Sequence, residues 1–418
     1  MHDHYSDKRS HNDHDHHDHN HEHGGHDHSH EQEQEQRHLI QVLSAFSGYR
    51  QASLHTLQHK LAATPDLPMY APVRDRLSKH THAINFNAHL MNLIISEHQQ
   101  DFLKPLLPSP DAAFETHPSS NIGTGVGDGE VGISQIQKQL QQLDTVVDHV
   151  PLESDLDKVR STLRQFVRDW SDEGLEERTS VYGPILDYLK SHFDHVPMNE
   201  RGKIQILVPG SGLGRLVFEI VAMGFSCQGN EFSMFMLLAS NFILNLPTQV
   251  NEYTIYPWIH SFSNVATSAN QLQAIQIPDV LVSEHVPPTA SFSMAAGDFI
   301  EIYGHVDQKA QWDIIVTCFF IDTAKDLTVY LSVIKNALKP NGIWINIGPL
   351  LYHFEGAVGA VEFTLDEVKH LIGDFGFDII TERTVESTYA NNPKSMMCYK
   401  YQSEFWVARP SPHRSLLG

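Results

Sequence analysis

The feature that most limits how this chain can fold lies in its second half, where short apolar runs alternate with stretches of helical periodicity from Lys203 onward. Strands are predicted near 204–208, 226–229, 292–295, 313–318, 343–348, 377–382 and 402–408, with helices near 214–223, 232–245, 324–338 and 364–373. That alternation specifies an α/β fold built on a doubly wound sheet. In such sheets ligands sit beyond the carboxyl ends of the strands, where strand order reverses, so the residues just after each strand carry the most information.

The first of these ends reads ILVPGSGLGRL, residues 206–216. Gly210, Gly212 and Gly214 can take backbone angles closed to other residues and bring the main chain close to a ligand, while the helix that follows offers free N–H groups. A turn of this kind can also do no more than reverse the chain. Glu231, about 20 residues on in CQGNEFS, adds a carboxylate at the end of the second strand that can accept both hydroxyls of a ribose. Together they indicate a nucleoside ligand.

The dinucleotide fingerprint G-x-G-x-x-G needs a glycine at 215, where Arg215 would obstruct close helix–strand packing under a pyrophosphate. The spacing present, G-x-G-x-G, resembles the first motif of Rossmann-like methyltransferases that use S-adenosyl-L-methionine. The acidic residue usual two places before the first glycine is replaced by Val208, with Pro209 following, so another group must hold the methionine ammonium.

Two further strand ends fit that order. MAAGDFIEIY places Asp298 and Phe299 where a carboxylate can take the adenine amino group and a ring can stack on the base; a capping Asp and a core Phe are the alternative roles. WDIIVTCFFIDTAKDL ends the fourth strand near Asp322, at the reactive end of such sites, although Asp322 also suits the N-cap of the next helix.

The rest of the chain sets outer limits. With 418 residues and 41% hydrophobic content it can bury a large core, and its formal charge of −22, without a local basic cluster, argues against nucleic acid as a ligand. Cys227, Cys318 and Cys398 lack C-x-x-C spacing, so neither a disulfide framework nor a zinc knuckle is indicated, which suits a reducing compartment, cytoplasmic or nuclear. No signal-like segment or membrane-spanning apolar run is present. Residues 1–37, dominated by His, Asp and Glu, are expected to be a disordered tail that loosely binds zinc, nickel or copper or is simply solvated. Residues 38–103 read as an N-terminal helical region, 104–133 as a linker, 134–200 as helices leading into the sheet, 201–410 as the sheet domain and 411–418 as a C-terminal tail.

The longer segments ILVPGSGLGRLVFEIVAMGFSCQGNEFSMFMLLASNFILN, YTIYPWIHSFSN, MAAGDFIEIY, VTCFFIDTAKDLTVYLSVIKNALKPNGIWINIGPLLYHFEG and VEFTLDEVKHLIGDFGF resemble the carnosine N-methyltransferase family. The match runs in consistent order over roughly residues 39–410, interrupted by the linker from Lys104 and by an insertion between Thr267 and Asp279. The resemblance implies a Rossmann-like seven-stranded methyltransferase sheet with an N-terminal helical domain, a homodimer through the helices, and methylation of the imidazole ring of carnosine to give anserine. It implies that Gln165 and Arg168, three apart on the helix before the sheet, hold the cofactor and make up for Val208, together with Gly210, Gly212, Glu231, Asp298, Phe299 and Cys318. It also points to Asp322, His353, Tyr399 and Tyr401 on the substrate, Asp322 and His353 being catalytic, with Tyr389 competing for the tyrosine role.

The chemistry is arguable on its own terms. A neutral imidazole attacks a sulfonium methyl through its lone-pair nitrogen, which leaves a cationic ring with an N–H on the other nitrogen. A carboxylate at that N–H fixes the tautomer and stabilises the cation, the role expected of Asp322; no metal is needed, because the electrophile is already activated. Two alternatives stay open from the residues: methylation of a histidine within a protein, and a non-catalytic module that only binds S-adenosylmethionine.

Overall fold

The computed structural model describes residues 27–102 and 151–411. The tail before Asp27, the linker at 104–133, the helical pattern at 133–150 and the end after residue 411 lie outside the described residues.

In chain order the elements are helices α1 (Asp27–Ala63), α2 (Ala71–Phe102), α3 (Glu153–Trp170), α4 (Leu175–Val181) and α5 (Gly183–His192), then β1 (Gln205–Pro209), α6 (Arg215–Ala222), β2 (Ser226–Glu231) and α7 (Met234–Asn245). There follow β3 (Tyr253–Ile255), β4 (Ile275–Ile277), β5 (Phe292–Ala296), α8 (Phe299–Tyr303), β6 (Trp312–Cys318), α9 (Leu327–Ala337), β7 (Leu338–Gly348), α10 (Leu365–Asp374), β8 (Phe377–Ser387) and β9 (Tyr401–Pro410).

Seven strands form one sheet in the order β5-β2-β1-β6-β7-β9-β8. The first five are parallel, whereas β9 is antiparallel to both its neighbours. The central strands read as continuous apolar runs because both faces are covered: Ile314, Ile315 and Val316 of β6 are fully buried. Helices α4, α5 and α6 pack on one face and α8, α9 and α10 on the other. The strand order reverses between β1 and β6, which puts a crevice at their carboxyl ends.

The helices before the sheet do not form a separate unit. Residues of α1 and α2 share one core with α3, α7 and a small antiparallel ribbon of β3 with β4. α3 shows why: Leu156, Val159, Leu163, Phe166, Val167 and Trp170 recur at helical spacing and are all buried. A polar tie adds direction, since Asn87 of α2 donates to the Tyr49 hydroxyl of α1 and to the carbonyl of Tyr256, and accepts the Tyr256 N–H at 2.7 Å. The ribbon was not expected from the sequence, and its second strand lies in the segment read as an insertion.

One boundary needs correction. α1 begins at Asp27, so residues 27–37 are helical rather than part of a disordered tail. The reason is compositional: the EQEQEQR run at 31–37 consists of good helix formers and lets the helix extend beyond its apolar face. Among the described residues no helix is long and apolar enough to cross a membrane.

Candidate active site

The glycine turn after β1 is built as its composition demands. Gly210, Gly212 and Gly214 have φ of 66°, 54° and 78°, angles at which a side chain is strained. A Cβ on Gly210 would fall 2.5 Å from the ring of Phe320, whereas one on Gly212 would meet nothing within 4 Å. The turn is thus packed on one side and open on the other. Glu231 fastens it to the end of β2: Oε2 accepts the N–H of Gly212 at 2.8 Å, and Oε1 accepts those of Phe232 and Ser233 at 2.9 and 2.8 Å. Burial raises the pKa of this carboxyl, and the three N–H bonds work against that rise. Beside it Phe232 is 72% exposed, an aromatic face at the mouth that the sequence did not single out.

α3 closes the turn from the side. Trp170 Nε1 donates to the carbonyl of Leu213 at 3.1 Å, and Arg215 donates to the carbonyl of Asp169 at 2.9 Å. Asp279, which ends the expected insertion, is clamped between Arg215 at 2.6 Å and Arg178 at 2.7 Å. Arg178 also holds the carbonyls of Arg168 and Ser171, both at 2.8 Å. Arg215 is therefore a buried strut between α6 and the end of α3, which is why no glycine stands there.

That end of α3 carries Gln165 and Arg168, both buried. Arg168 lies over the rings of Tyr182 and Tyr389, 5.2 and 4.6 Å from their centroids, and within 3.3 Å of Asp169 and 3.2 Å of Glu177. Its Nε–H is buried yet not aimed at any acceptor among the described residues, despite the short distance to Glu177. Cys318, the last residue of β6, is buried nearby, and burial pushes its thiol up to about 12.

After β5 the structure shows the capping and core roles. Asp298 Oδ1 accepts the N–H groups of Ile300 and Glu301 at 2.7 and 3.2 Å, so it caps α8. Phe299 is 3% exposed and packs edge-on against Phe320 and Tyr330. Its ring is core and not free to stack on a base, which corrects that expectation; only its main-chain N–H, in the first turn of α8, lacks an intrahelical partner.

Asp322 has the opposite outcome. The N-cap of α9 is Asp326, whose Oδ1 accepts the Thr328 N–H at 2.9 Å, so capping is not the role of Asp322. Asp322 is 4% exposed, and its carboxylate accepts the N–H of Leu351 at 2.9 Å. Among the described residues no Lys, Arg or His forms an ion pair with it. Burial pushes its pKa up to about 6. The main-chain carbonyl of Asp322 also accepts the N–H of His353 at 3.0 Å, which brings the two substrate candidates together. The His353 residue is exposed overall, yet desolvation holds its imidazole below the ordinary value.

Between these groups stands Phe319, which sequence reasoning missed. It has φ of 51°, rare for a bulky residue, and its ring touches Tyr389 at 5.0 Å and the edge of Tyr401 at 6.0 Å. Gly348 on β7 makes room, since a Cβ there would lie 3.2 Å from the Phe319 main chain. Tyr401 opens β9, and the negative charge of Asp322 helps to raise its pKa after burial. Tyr389 joins the cofactor side through Gln165, whose Nε2 donates to its hydroxyl at 3.0 Å. Tyr399 is 63% exposed and lies outside this cluster of rings.

Comparison with known proteins adds the family. The sequence profile of carnosine N-methyltransferase matches residues 146–412. The chain belongs to the carnosine N-methyltransferase family. The carnosine N-methyltransferase of Mus musculus is 47% identical over 258 residues, which are 61% of this chain and 63% of that protein. The carnosine N-methyltransferase of Schizosaccharomyces pombe is 45% identical over 265 residues, 61% of this chain and 71% of that one. The chain thus spans less than two thirds of the mouse relative. A solved 1,6-didemethyltoxoflavin-N1-methyltransferase of Burkholderia thailandensis is 15% identical, covers 63% of this chain and 93% of its own, and has a TM-score of 0.33. The fold assignment rests on the strand order and not on that likeness.

Proposed function

We propose that this carnosine N-methyltransferase family member transfers a methyl group from S-adenosyl-L-methionine to an imidazole ring nitrogen of carnosine, giving anserine. The observation that carries the reading is Asp322: a buried carboxylate with one N–H donor and no cationic partner among the described residues, beside aromatic rings. A cationic imidazole is the partner such a group lacks.

The residues fit the cofactor. The open side of Gly212, the carboxylate of Glu231 and the bare ring of Phe232 suit a nucleoside, and the buried, unaimed Nε–H of Arg168 suits an anion at the amino-acid end. When bound, S-adenosylmethionine supplies an activated methyl group. Glu231 accepts ribose hydroxyls, Phe232 covers the base, and Arg168 with Gln165 holds the methionine end through its carboxylate.

For the substrate, Asp322 accepts the N–H of the imidazole and so leaves the lone pair of the other nitrogen pointing away from it. As the ring gains charge, the buried carboxylate stabilises it, so the interaction grows toward the transition state. Phe319, Tyr389 and Tyr401 form walls that hold the ring plane, and His353 at the rim faces the rest of the dipeptide. A reducing compartment, cytoplasm or nucleus, belongs to the same reading.

The deciding experiment incubates the protein with methyl-deuterated S-adenosylmethionine and carnosine, beside free histidine, histidine-containing peptides and a protein extract, and reads the products by mass spectrometry. Label on the carnosine ring is expected. Label on a protein histidine alone would move the substrate while keeping the chemistry, and no transfer to any of them would defeat the reading.

A further inference from the structure

Glu177, on α4, sits where the cofactor and substrate halves of the site meet. Its side chain is 9% exposed. Oε1 accepts the N–H of Ala390 at 2.7 Å and lies 3.2 Å from Arg168 Nε, while Oε2 accepts Thr388 Oγ1–H at 3.1 Å and the Asn391 N–H at 3.2 Å. Ala390 has φ of 47°, so the chain turns tightly around this carboxylate. Within the turn stands Tyr389, with its hydroxyl bonded by Gln165, its ring against the Arg168 guanidinium at 4.6 Å and its other neighbour Phe319 at 5.0 Å. One carboxylate and two α3 side chains therefore hold both a cation on the cofactor side and a turn on the substrate side.

We propose that Glu177 is a positioning residue that couples the two halves: when the cofactor engages Arg168 and Gln165, Glu177 tightens the turn 388–391 and sets Tyr389 for the substrate. This rests on the reading above that Arg168 and Gln165 face S-adenosylmethionine. The physical reason is charge sharing. In this structure Arg168 neutralises part of the charge on Glu177; an anionic group of the cofactor takes up some of that positive charge, and the less neutralised carboxylate then binds its three loop donors more strongly. By linkage, an ordered turn favours the cofactor to the same extent.

The test follows amide hydrogen exchange in the full chain, with and without S-adenosylhomocysteine, in the peptide that contains residues 388–391, and measures binding of that ligand in parallel by calorimetry. In the unaltered protein the ligand is expected to slow exchange at Ala390 and Asn391 by about 5-fold or more, the scale of ordinary coupling between sites. In Glu177→Gln, which keeps the size but removes the charge, S-adenosylhomocysteine should still bind and the slowing should vanish. A purely structural role would loosen the turn equally in both states and leave the ligand-dependent slowing intact. Equal slowing in Glu177→Gln overturns the proposal, as does no slowing in a wild-type chain that binds the ligand. Should Glu177→Gln fail to fold, Thr388→Val removes one donor to the carboxylate and is expected to reduce the slowing; an unchanged value again overturns it. A wild-type chain that binds no S-adenosylhomocysteine defeats the cofactor reading itself, and calorimetry separates that failure from the others.

Discussion

Glu231 and Asp322 are both carboxylates at strand ends of one sheet whose pKa burial raises, and they are furnished in opposite ways. Glu231 is held by three main-chain N–H groups that fix its position and share its charge. Asp322 accepts the N–H of Leu351 and has no cationic partner among the described residues. On the proposed reading the difference follows from what each must meet. A carboxylate that accepts neutral hydroxyls gains from being fixed beforehand, whereas one that must answer a charge appearing only during reaction is most effective when that charge is its first strong partner.

The largest expected effect tests the under-partnered member. Asp322→Asn should lower kcat at least about 100-fold while leaving cofactor affinity nearly unchanged, as for other positioned electrostatic groups. The same change should raise the melting temperature above neutral pH. Burial lifts the Asp322 pKa from 3.8 to about 6, so its folded form favours the proton, and the stability this gives is lost as pH rises through about 6. The cost of the ionised form is on the order of 3 kcal/mol. Melting curves of both proteins across pH should therefore diverge between about pH 4 and pH 6 and run parallel above. An active Asp322→Asn enzyme, or one less stable at every pH, breaks the comparison.

Glu231→Gln probes the pre-satisfied partner and should act on binding instead. Loss of hydrogen bonds to a charged group is worth about 1.5–3 kcal/mol, so cofactor affinity should fall roughly 10- to 150-fold with kcat at saturating cofactor close to wild type. Calorimetry and steady-state kinetics together check the split, and a fall in kcat of the Asp322 size would erase the contrast. The smallest effect belongs to Phe232→Ala. Stacking on an exposed ring is worth about 0.5–1.5 kcal/mol, which predicts a weakening of the cofactor of about 2- to 10-fold with an unaltered melting temperature.

How much of this could be read in advance depended on distance along the chain. The glycine turn and Glu231 stand about 20 residues apart and act through a local strand–turn–helix unit, so their pairing was visible in the sequence. Asp298, Phe299 and Asp322 each had two roles open: Asp298 caps α8 through its own neighbours, whereas Asp326, four residues beyond Asp322, takes the cap of α9, and Phe320 and Tyr330 enclose the Phe299 ring. Tyr389 outranks Tyr399 because β8 runs on to Ser387 and delivers Tyr389 to α3, whereas Tyr399 stands just before β9 at the surface. Phe319 gave no signal, since a left-handed phenylalanine is held by Gly348 on a neighbouring strand and not by its own neighbours in sequence.

The sequence by itself determined the doubly wound sheet, the number of its strands, the nucleoside turn and the family, because periodicity and strand-end motifs are local and survive without knowledge of contacts. The tertiary structure decided that α1 and α2 share one core with α3, α7 and the β3–β4 ribbon, that Arg215 is a strut clamped through Asp279, and that Asp322 lacks an ion-pair partner among the described residues. Those facts depend on burial and on partners far away in the chain. A residue's charge is written in its type, but whether that charge is already answered is settled only when the chain has packed.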